Sequence, residues 1–508
     1  MHGEIQIRPP FTASDHYPSP NSLPILPIKP MKQMNPTTCT NTRRKFLKNA
    51  SALGLSAMLA PRYLAGQNHN RISPTGRLQI ALVGVGGRGR QALLSLIDED
   101  IVACCDVLDL ENLTGEPRNQ HGQLGKLFSE NLASLNRKGT RWFEDYRVMF
   151  ETMGDKIDAV VITVPDHMHF PIAMSAVNLK KHVYCEKPLV HTVEEARLLT
   201  EAAIASGVVT QMGNQGHSNE GTRLVREWIQ AGVIGKVREV HSWTNRPGWP
   251  QGVEPPNHAT SAPPVPAGLR WDLWQGVATS RSYDPAYVPF LWRAFFDYGS
   301  GAFGDMACHI MDSPYWALDL TYPDWVEATS TALTQISYPK ASIVTFHFPS
   351  RGGMPDLIYK WYDGGLRPPL PRSIPRSEDP GFSSGSYIIG EHATLITDTY
   401  SGSVRVSPKE KWATLRQSLP PKSIRRVTTD HHQEWVNAIR EQRTASTDFS
   451  YAGPFTEMTQ LGNVALRART RLHYDHSRMA FTNSPEHNSL LRKPYPKGWI
   501  IGGSSKLI

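Results

Sequence analysis

The chain is expected to fold as two domains in series. Residues 77–213 read as a doubly wound parallel α/β domain, and residues 214–508 as an α+β domain with an open, mainly antiparallel sheet. Three observations carry this reading. The 508 residues exceed the ~100–200 that one core ordinarily organises. From Arg77 to Gly213, short runs rich in Val and Ile alternate with helical segments, the pattern of strands covered on both faces of a parallel sheet. Beyond Gly213 the strand-like runs are grouped rather than interleaved with helices.

In chain order, the first set of strands is "LQIALVGV", "IVACCDV", "IDAVVITV", "HVYCEKP" and "VVTQMG", separated by helices such as "GRQALLSLI" and "FPIAMSAVNLKK". In "HTVEEARLL", Thr192 and Glu195 stand at capping-box spacing, where each side chain satisfies the other's free backbone donor and starts a helix. The helix "NEGTRLVREWIQAG" and the strand "GKVREVHSW" open the second half. A stretch rich in Pro, Gly and aromatic residues then runs from Arg246 to Tyr298. The strand-like runs "VEATSTALTQI", "ASIVTFHF", "DLIYKWYDGG" and "SYIIGEHATLITD" follow, and helical patterns occupy about 430–442 and 454–470. No internal repeat is visible, which argues against a solenoid or propeller.

The formal charge of +8 is concentrated in residues 1–66, which hold eight Lys/Arg against Glu4 and Asp15. Without them the balance is 46 basic to 44 acidic residues, which argues against a nucleic acid or an acidic membrane surface as partner. The leader itself reads as an export signal. "TRRKFLK" precedes the small, apolar run Asn49 to Pro61, too short for the ~20 residues a membrane span requires. Arg43 and Arg44 resemble a twin-arginine signal, so a periplasmic or otherwise exported protein with no transmembrane segment in its mature form is expected. The Pro-rich preface leaves Met31 and Met34 as alternative starts. Cys104, Cys105, Cys185 and Cys308 have neither zinc nor disulfide spacing and read as core residues, in keeping with folding before export.

"GVGGRG" sets Gly84, Gly86 and Gly89 at G-x-G-x-x-G spacing between a strand and a helix, with Gly87 and Arg88 inside the loop. Such a loop lets backbone N–H groups approach a pyrophosphate at a helix N-terminus. Asp106 ends the next strand about 20 residues on, where a carboxylate accepts hydrogen bonds from ribose hydroxyls and repels a 2′-phosphate. The cofactor expected is therefore NAD, with Arg88 leaving NADP open.

Glu186 and Lys187 pose a separate question, because a strand buried in a sheet has no use for two charges at its tip. Ligands of open parallel sheets lie beyond the carboxyl ends of the strands. Pro188 biases Lys187 toward an extended backbone that projects its ammonium there, where it can assist removal of a hydroxyl proton as a hydride leaves. In "GSGAFGDMACHIMD", Asp305, His309 and Asp312 fall at i, i+4 and i+7, one face of a helix, and a carboxylate one turn before an imidazole suits proton relay.

With "VPDHMH" added, the ordered set "GVGGRG", "VPDHMH", "CEKPLV" and "GDMACHIMD" resembles the Gfo/Idh/MocA family of NAD(P)-dependent oxidoreductases, from about Gln79 to the "KGWI" near the end. The resemblance implies a Rossmann domain and a catalytic set of Lys187, Asp305 and His309. His309 is the expected acid/base, Lys187 polarises the reacting oxygen and Asp305 orients the substrate, although family members differ over whether the lysine or the histidine takes the proton. It also implies that Pro165 and His169 wall the nicotinamide, with Glu186 beside the cofactor. Two imidazoles bind zinc readily, but no third ligand accompanies His167 and His169, nor His431 and His432, so no metal is expected.

Five tryptophans, Trp243, Trp249, Trp271, Trp274 and Trp292, lie in residues 241–300 and either line a carbohydrate pocket or order long loops. Arg293 and Asp297 either bind substrate hydroxyls or pair with each other. Three functions remain open on these grounds. The first is an exported oxidoreductase acting on a secondary hydroxyl of a sugar or polyol, with a tightly bound dinucleotide. The second is a redox-neutral glycosidase that oxidises, eliminates and re-reduces. The third is a non-catalytic sugar-binding protein. The open sheet of the second domain points to a homo-oligomer.

Overall fold

A computed structural model describes residues 76–109, 135, 139–254, 262–496 and 499. The leader, with Arg43 and Arg44, lies outside the described residues. The first sheet contains β1 (Gln79–Val83), β2 (Asp100–Cys105), β3 (Arg141–Phe143), β4 (Ala159–Ile162), β5 (His182–Cys185) and β6 (Thr210–Met212), ordered β3-β2-β1-β4-β5-β6 and parallel throughout. β3 escaped the sequence reading because "RWF" is too short to show a period. Interleaved with these strands run α1 (Gly87–Ser95), α2 (Tyr146–Met153), α3 (His169–Asn178) and α4 (Val193–Ser206), and α5 (Glu220–Gln230) follows β6. α4 begins with the Thr192/Glu195 capping box.

The strand register decides where the site forms. Val83 pairs with both Cys105 and Ile162, Ile162 pairs with Cys185, and Cys185 pairs with Met212. The residues that follow, Gly84, Asp106, Thr163, Glu186 and Gly213, therefore emerge along one edge. The ladder carries one residue into them: Gly84 N–H donates to the Cys105 carbonyl (2.8 Å) and Glu186 N–H to that of Ile162 (2.9 Å). The strand order reverses between β1 and β4, which opens the crevice there.

The second sheet has nine strands. β7 (Val237–Trp243) precedes the segment that carries α6 (Trp271–Gln275), α7 (Gly301–Ile310) and α8 (Asp312–Ala317). Then come β8 (Trp325–Ser330), β9 (Ser342–Phe348), β10 (Leu357–Tyr362), β11 (Gly385–Gly390), β12 (Thr394–Asp398) and β13 (Val404–Ser407). After α9 (Lys409–Leu415), α10 (His431–Arg440) and α11 (Phe449–Ala468), β14 (Leu472–Asp475) and β15 (Ala480–Phe481) complete the order β13-β12-β11-β7-β10-β9-β8-β14-β15. Only the β7–β10 pair is parallel among the described pairings of this sheet, so it is mainly antiparallel. "SYIIGEHATLITD", read as one strand-like run, is the β11–β12 hairpin.

β9 alternates buried and half-buried residues, with Val344, Phe346 and Phe348 packed inward. That inner face shares one core with α11 and α4, so the described residues form one compact unit. α10 returns to the first sheet. Its Trp435, Val436 and Ile439 join Ile80, Leu82, Ala92 and Tyr184 in a second core cluster. The span 214–508 thus builds the second sheet and also covers one face of the first. No helix among the described residues is long and apolar enough to cross a membrane.

Candidate active site

Lys187, on the bend after β5, donates from Nζ to Asp305 Oδ1 at 2.7 Å and to the Asp305 carbonyl at 2.9 Å. Both side chains are largely enclosed, at 13% and 16% exposure. Lys187 lies on the bend that directly follows β5. Burial alone would raise the Asp305 carboxyl, but the charges of Lys187 and then Arg293 hold it down to about 2. Burial likewise opposes the charge on Lys187, yet Asp305 outweighs it and the ammonium is favoured beyond its ordinary range. A cation and an anion so fixed neither gain nor lose a proton near neutrality.

His309, one turn further along α7, is the group that can. Its ring is buried, its Nδ1 has no hydrogen-bond partner, and burial, followed by the Lys187 charge, pushes its pKa well below the usual imidazole value. The neutral imidazole has a lone pair to offer.

Asp312 does not share this face. α7 ends at Ile310 and a new helix starts at Asp312, which turns the carboxylate into a buried node. His217 Nδ1 lies 2.8 Å from Oδ2, Asn214 Nδ2 donates to Oδ1 (3.0 Å) and Tyr451 donates to Oδ1 (2.7 Å). With both oxygens taken and its side chain 3% exposed, Asp312 is a scaffold residue rather than a substrate ligand. Asp297 is also withdrawn, because it binds Arg281 (2.7 Å) instead of Arg293. Arg293 does face the site: its Nε is 3.6 Å from Asp305 Oδ1, and its guanidinium lies over Trp292 (4.2 Å) and Phe290 (4.4 Å).

On the cofactor side, Gly84 (φ +83°) is pressed so closely to β4 that a Cβ there would lie 2.9 Å from the Thr163 carbonyl carbon. A Cβ at Gly89 would lie 2.1 Å from the Gly84 oxygen. The space over Gly87 is open, with nothing within 4 Å of where a Cβ would stand. The loop thus leaves room for a pyrophosphate at the start of α1. Asp106 sits at the β2 tip and accepts from Val85 N–H (2.7 Å) and Leu108 N–H (3.0 Å). These residues fit an NAD dinucleotide: Gly84 to Gly89 would lie under the pyrophosphate and Asp106 would meet the adenosine ribose. Arg88 is bound to Glu186 (3.0 Å), which brings the glycine loop to the β5 tip.

Pro165 is partly exposed at the turn after β4. His169 is a correction to the wall expected there. It is enclosed, and its nitrogens lie 2.7 Å from the Pro188 carbonyl and 2.9 Å from that of Val164, so it links two turns and has no nitrogen left for a ligand. Both nitrogens of His167 likewise face carbonyls, those of Tyr298 and Trp274. His431 bonds Ser218 Oγ (2.6 Å) and the Met212 carbonyl (2.8 Å), and His432 stacks on Tyr184. No group of three metal-ligating side chains occurs among the described residues.

Three residues escaped the sequence reading. Asp166 is buried, its carboxyl raised by that burial against the pull of His169, Arg293 and Lys187. Its position in "VPDHMH" was the available signal. His217 follows the β6 tip in "NQGHS", a polar run at a sheet edge. Tyr400, whose ring meets that of His309, had no signal, because a turn between two strands does not announce what it covers.

Comparison with known proteins defines the class. Residues 78–214 match the Gfo/Idh/MocA oxidoreductase family's NAD-binding Rossmann fold, and residues 225–336 match its C-terminal alpha/beta domain. In these two spans the chain is similar to the two domains of Gfo/Idh/MocA family oxidoreductases. Levoglucosan dehydrogenase from Pseudarthrobacter phenanthrenivorans is 26% identical over 161 residues, 31% of this chain and 32% of that protein. Inositol 2-dehydrogenase from Salmonella typhimurium is 26% identical over 170 residues, 32% of this chain and 45% of that protein. The matched part spans about a third to a half of the length of these curated relatives. The WlbA dehydrogenase from Bordetella pertussis, solved with NADH and UDP-GlcNAcA, has the same fold at a TM-score of 0.52 and 16% identity, over 78% of this chain and 99% of that one.

Proposed function

We propose that this protein is an exported NAD-dependent oxidoreductase that transfers hydride between nicotinamide and a secondary hydroxyl of a sugar or polyol derivative. The observation that carries the reading is the 2.7 Å pair of Lys187 and Asp305, with neutral His309 one helical turn away, beside the dinucleotide loop. When bound, the nicotinamide supplies the hydride acceptor or donor. His309 takes the hydroxyl proton in the oxidative direction, because its lone pair is free. Lys187 donates a hydrogen bond to the reacting oxygen and stabilises the charge that develops on it. Asp305 fixes the Lys187 ammonium, and water is excluded by the same burial that keeps His309 neutral.

Export rests on the basic leader and short apolar run. A homo-oligomer is supported by the outer face of the second sheet, where Ile343, Thr345 and Ile358 are half-buried. Outside the cytoplasm a freely exchanging dinucleotide is scarce, so the cofactor is retained between turnovers.

Purified protein tests all of this at once. Dinucleotide absorbance should co-purify, and free sugars or polyols should change the reduced-nicotinamide band. Aryl-glycoside release without added NAD would replace the dehydrogenase with a redox-neutral glycosidase, and absence of any dinucleotide would leave a binding protein. Recovery of the mature chain only in the cytoplasm would refute export.

A further inference from the structure

Near its end the chain returns to the first sheet's helices and sends one cation inward. Leu491 is fully buried in the main core, Tyr495 packs edge-on against Phe170 at 6.2 Å, and Trp499 lies over the Arg147 guanidinium at 4.2 Å. Between the first two anchors stands Lys493, whose side chain is only 16% exposed. Its ammonium has three hydrogens and meets three acceptors: Glu195 Oε1 at 2.9 Å, the His167 carbonyl at 3.2 Å and His191 Nδ1 at 3.3 Å.

Through these acceptors the ammonium reaches three segments that build the active site. His167 lies in the turn after β4, beside Pro165 and Asp166. Its N–H donates to the Tyr298 carbonyl (3.2 Å), and its ring packs on Trp274 at 5.4 Å. Trp274 is one of the five tryptophans of residues 241–300, which are all buried, at 0–9% exposure, and serve the core. His191 stands on the segment that carries Lys187. Because its Nδ1 accepts from the ammonium, Nε2 holds the proton and donates to the Gly299 carbonyl (2.9 Å), just before α7. Glu195 Oε2 accepts from the N–H groups of His191 (3.1 Å) and Thr192 (3.0 Å), which closes the same bend. Gln460 of α11 binds the Val190 carbonyl (3.0 Å) and Ser300 Oγ (3.2 Å), so two of the segments have a further tie, and Lys493 adds the His167 turn to that frame.

We propose that Lys493 is a positioning residue of the hydride-transfer site: its ammonium locks the turn at residues 165–169, the bend that carries Lys187 and the approach to the helix of Asp305 and His309 into one frame. A cation with every hydrogen committed, beside a carboxylate that is 3% exposed, is costly to displace, because removing either group leaves the other unpaired in the interior. A misplacement of about 1 Å between reacting groups is enough to cost turnover heavily. The kinetic consequence rests on the oxidoreductase reading, whereas the tie itself is read without any substrate.

Hydrogen exchange followed by mass spectrometry compares the parent with Lys493→Met and with Tyr495→Phe, which removes another donor to Glu195 and keeps the ammonium. In Lys493→Met, residues 165–169, 189–192 and 298–302 should exchange together, about tenfold faster, while β1 and β4 keep parental protection. Tyr495→Phe should leave all three segments close to the parent. Lys493→Gln, with a donor but no charge, is read in the same way if the methionine variant does not fold. Parental exchange at the three segments, a uniform rise along the whole chain, or an equal effect of Tyr495→Phe would overturn the proposal. Reduction of the bound dinucleotide by D-glucose, D-galactose and sorbitol supplies the second readout. In Lys493→Met kcat should fall about tenfold or more, with KM and NADH affinity held within about twofold. A loss confined to KM or to NADH affinity would also overturn it. No redox change in the parent with any of these sugars would count against the oxidoreductase reading, and the exchange result would then decide the tie by itself.

Discussion

Glu186 Oε1 accepts from Arg88 Nη2 at 3.0 Å, across 98 residues of chain, while the neighbouring Lys187 turns to Asp305. The two adjacent charges at the tip of β5 are thereby explained: one reaches the glycine loop and the other reaches α7. Arg88 is committed to Glu186 and to Gln91, so it is not available to balance a 2′-phosphate, and with Asp106 this favours NAD over NADP.

Removing Arg88 should loosen the cofactor. Arg88→Ala leaves the Glu186 carboxylate, 6% exposed, without its cation, and should raise the NADH dissociation constant about tenfold. Fluorescence titration reads this directly, and an unchanged constant would assign the pair to the scaffold alone.

Lys187→Met and Asp305→Asn should each lower kcat by roughly 100-fold or more, with dinucleotide still bound. Near-parental turnover by either would remove the pair from the chemistry. Absorbance of the purified variants separates lost chemistry from lost cofactor.

The buried histidines set the response to acid. His167 and His431 are pushed by burial down to about 3, and His191 and His309 are lowered by burial and neighbouring cations. In the unfolded chain each takes up a proton near pH 6.5, whereas in the folded chain each resists until far lower pH. The unfolded state therefore binds more protons, and stability should fall as pH drops from about 6.5 toward 4. Asp363, raised by burial to about 6, works in the opposite direction, as do Asp106, Asp158, Asp166 and Glu457, which burial also raises but from ordinary values near 4 rather than 6.5. Thermal unfolding followed from pH 7.5 to 5 should show a falling midpoint, and a flat or rising one would contradict these assignments. The acid limb of kcat/KM should also lie below pH 6.5, because His309 stays neutral there.

Trp435 tests how far the second half of the chain supports the first. Its ring is fully buried against the first sheet, and Trp435→Ala should cost about 3–5 kcal/mol in denaturant unfolding. A loss below about 1 kcal/mol would mean that α10 packs only loosely on that sheet.

Local pattern was enough to locate the first sheet's longer strands, the glycine loop, the Thr192 cap and the α7 signature. Each depends on neighbours in sequence: the period of apolar residues, a turn that needs glycine, or donors one helical turn apart. Asp312 shows where such reasoning ends. Spacing put it on the face of Asp305 and His309, yet the helix breaks at Met311, and His217, Asn214 and Tyr451 claim the carboxylate. The tryptophans show the same limit, because composition marks a ring as suited to a pocket or to a core and only packing chooses.

The sequence by itself determined the fold class, the dinucleotide loop and the identity of the charged residues at the strand tips, because these follow from short-range periodicity and turn chemistry. Tertiary structure alone decided which charge meets which partner, that Asp297 goes to Arg281, and that the Tyr400 ring meets His309. Those contacts join segments tens to hundreds of residues apart, and their geometry comes from strand register and helix packing, which no local stretch encodes.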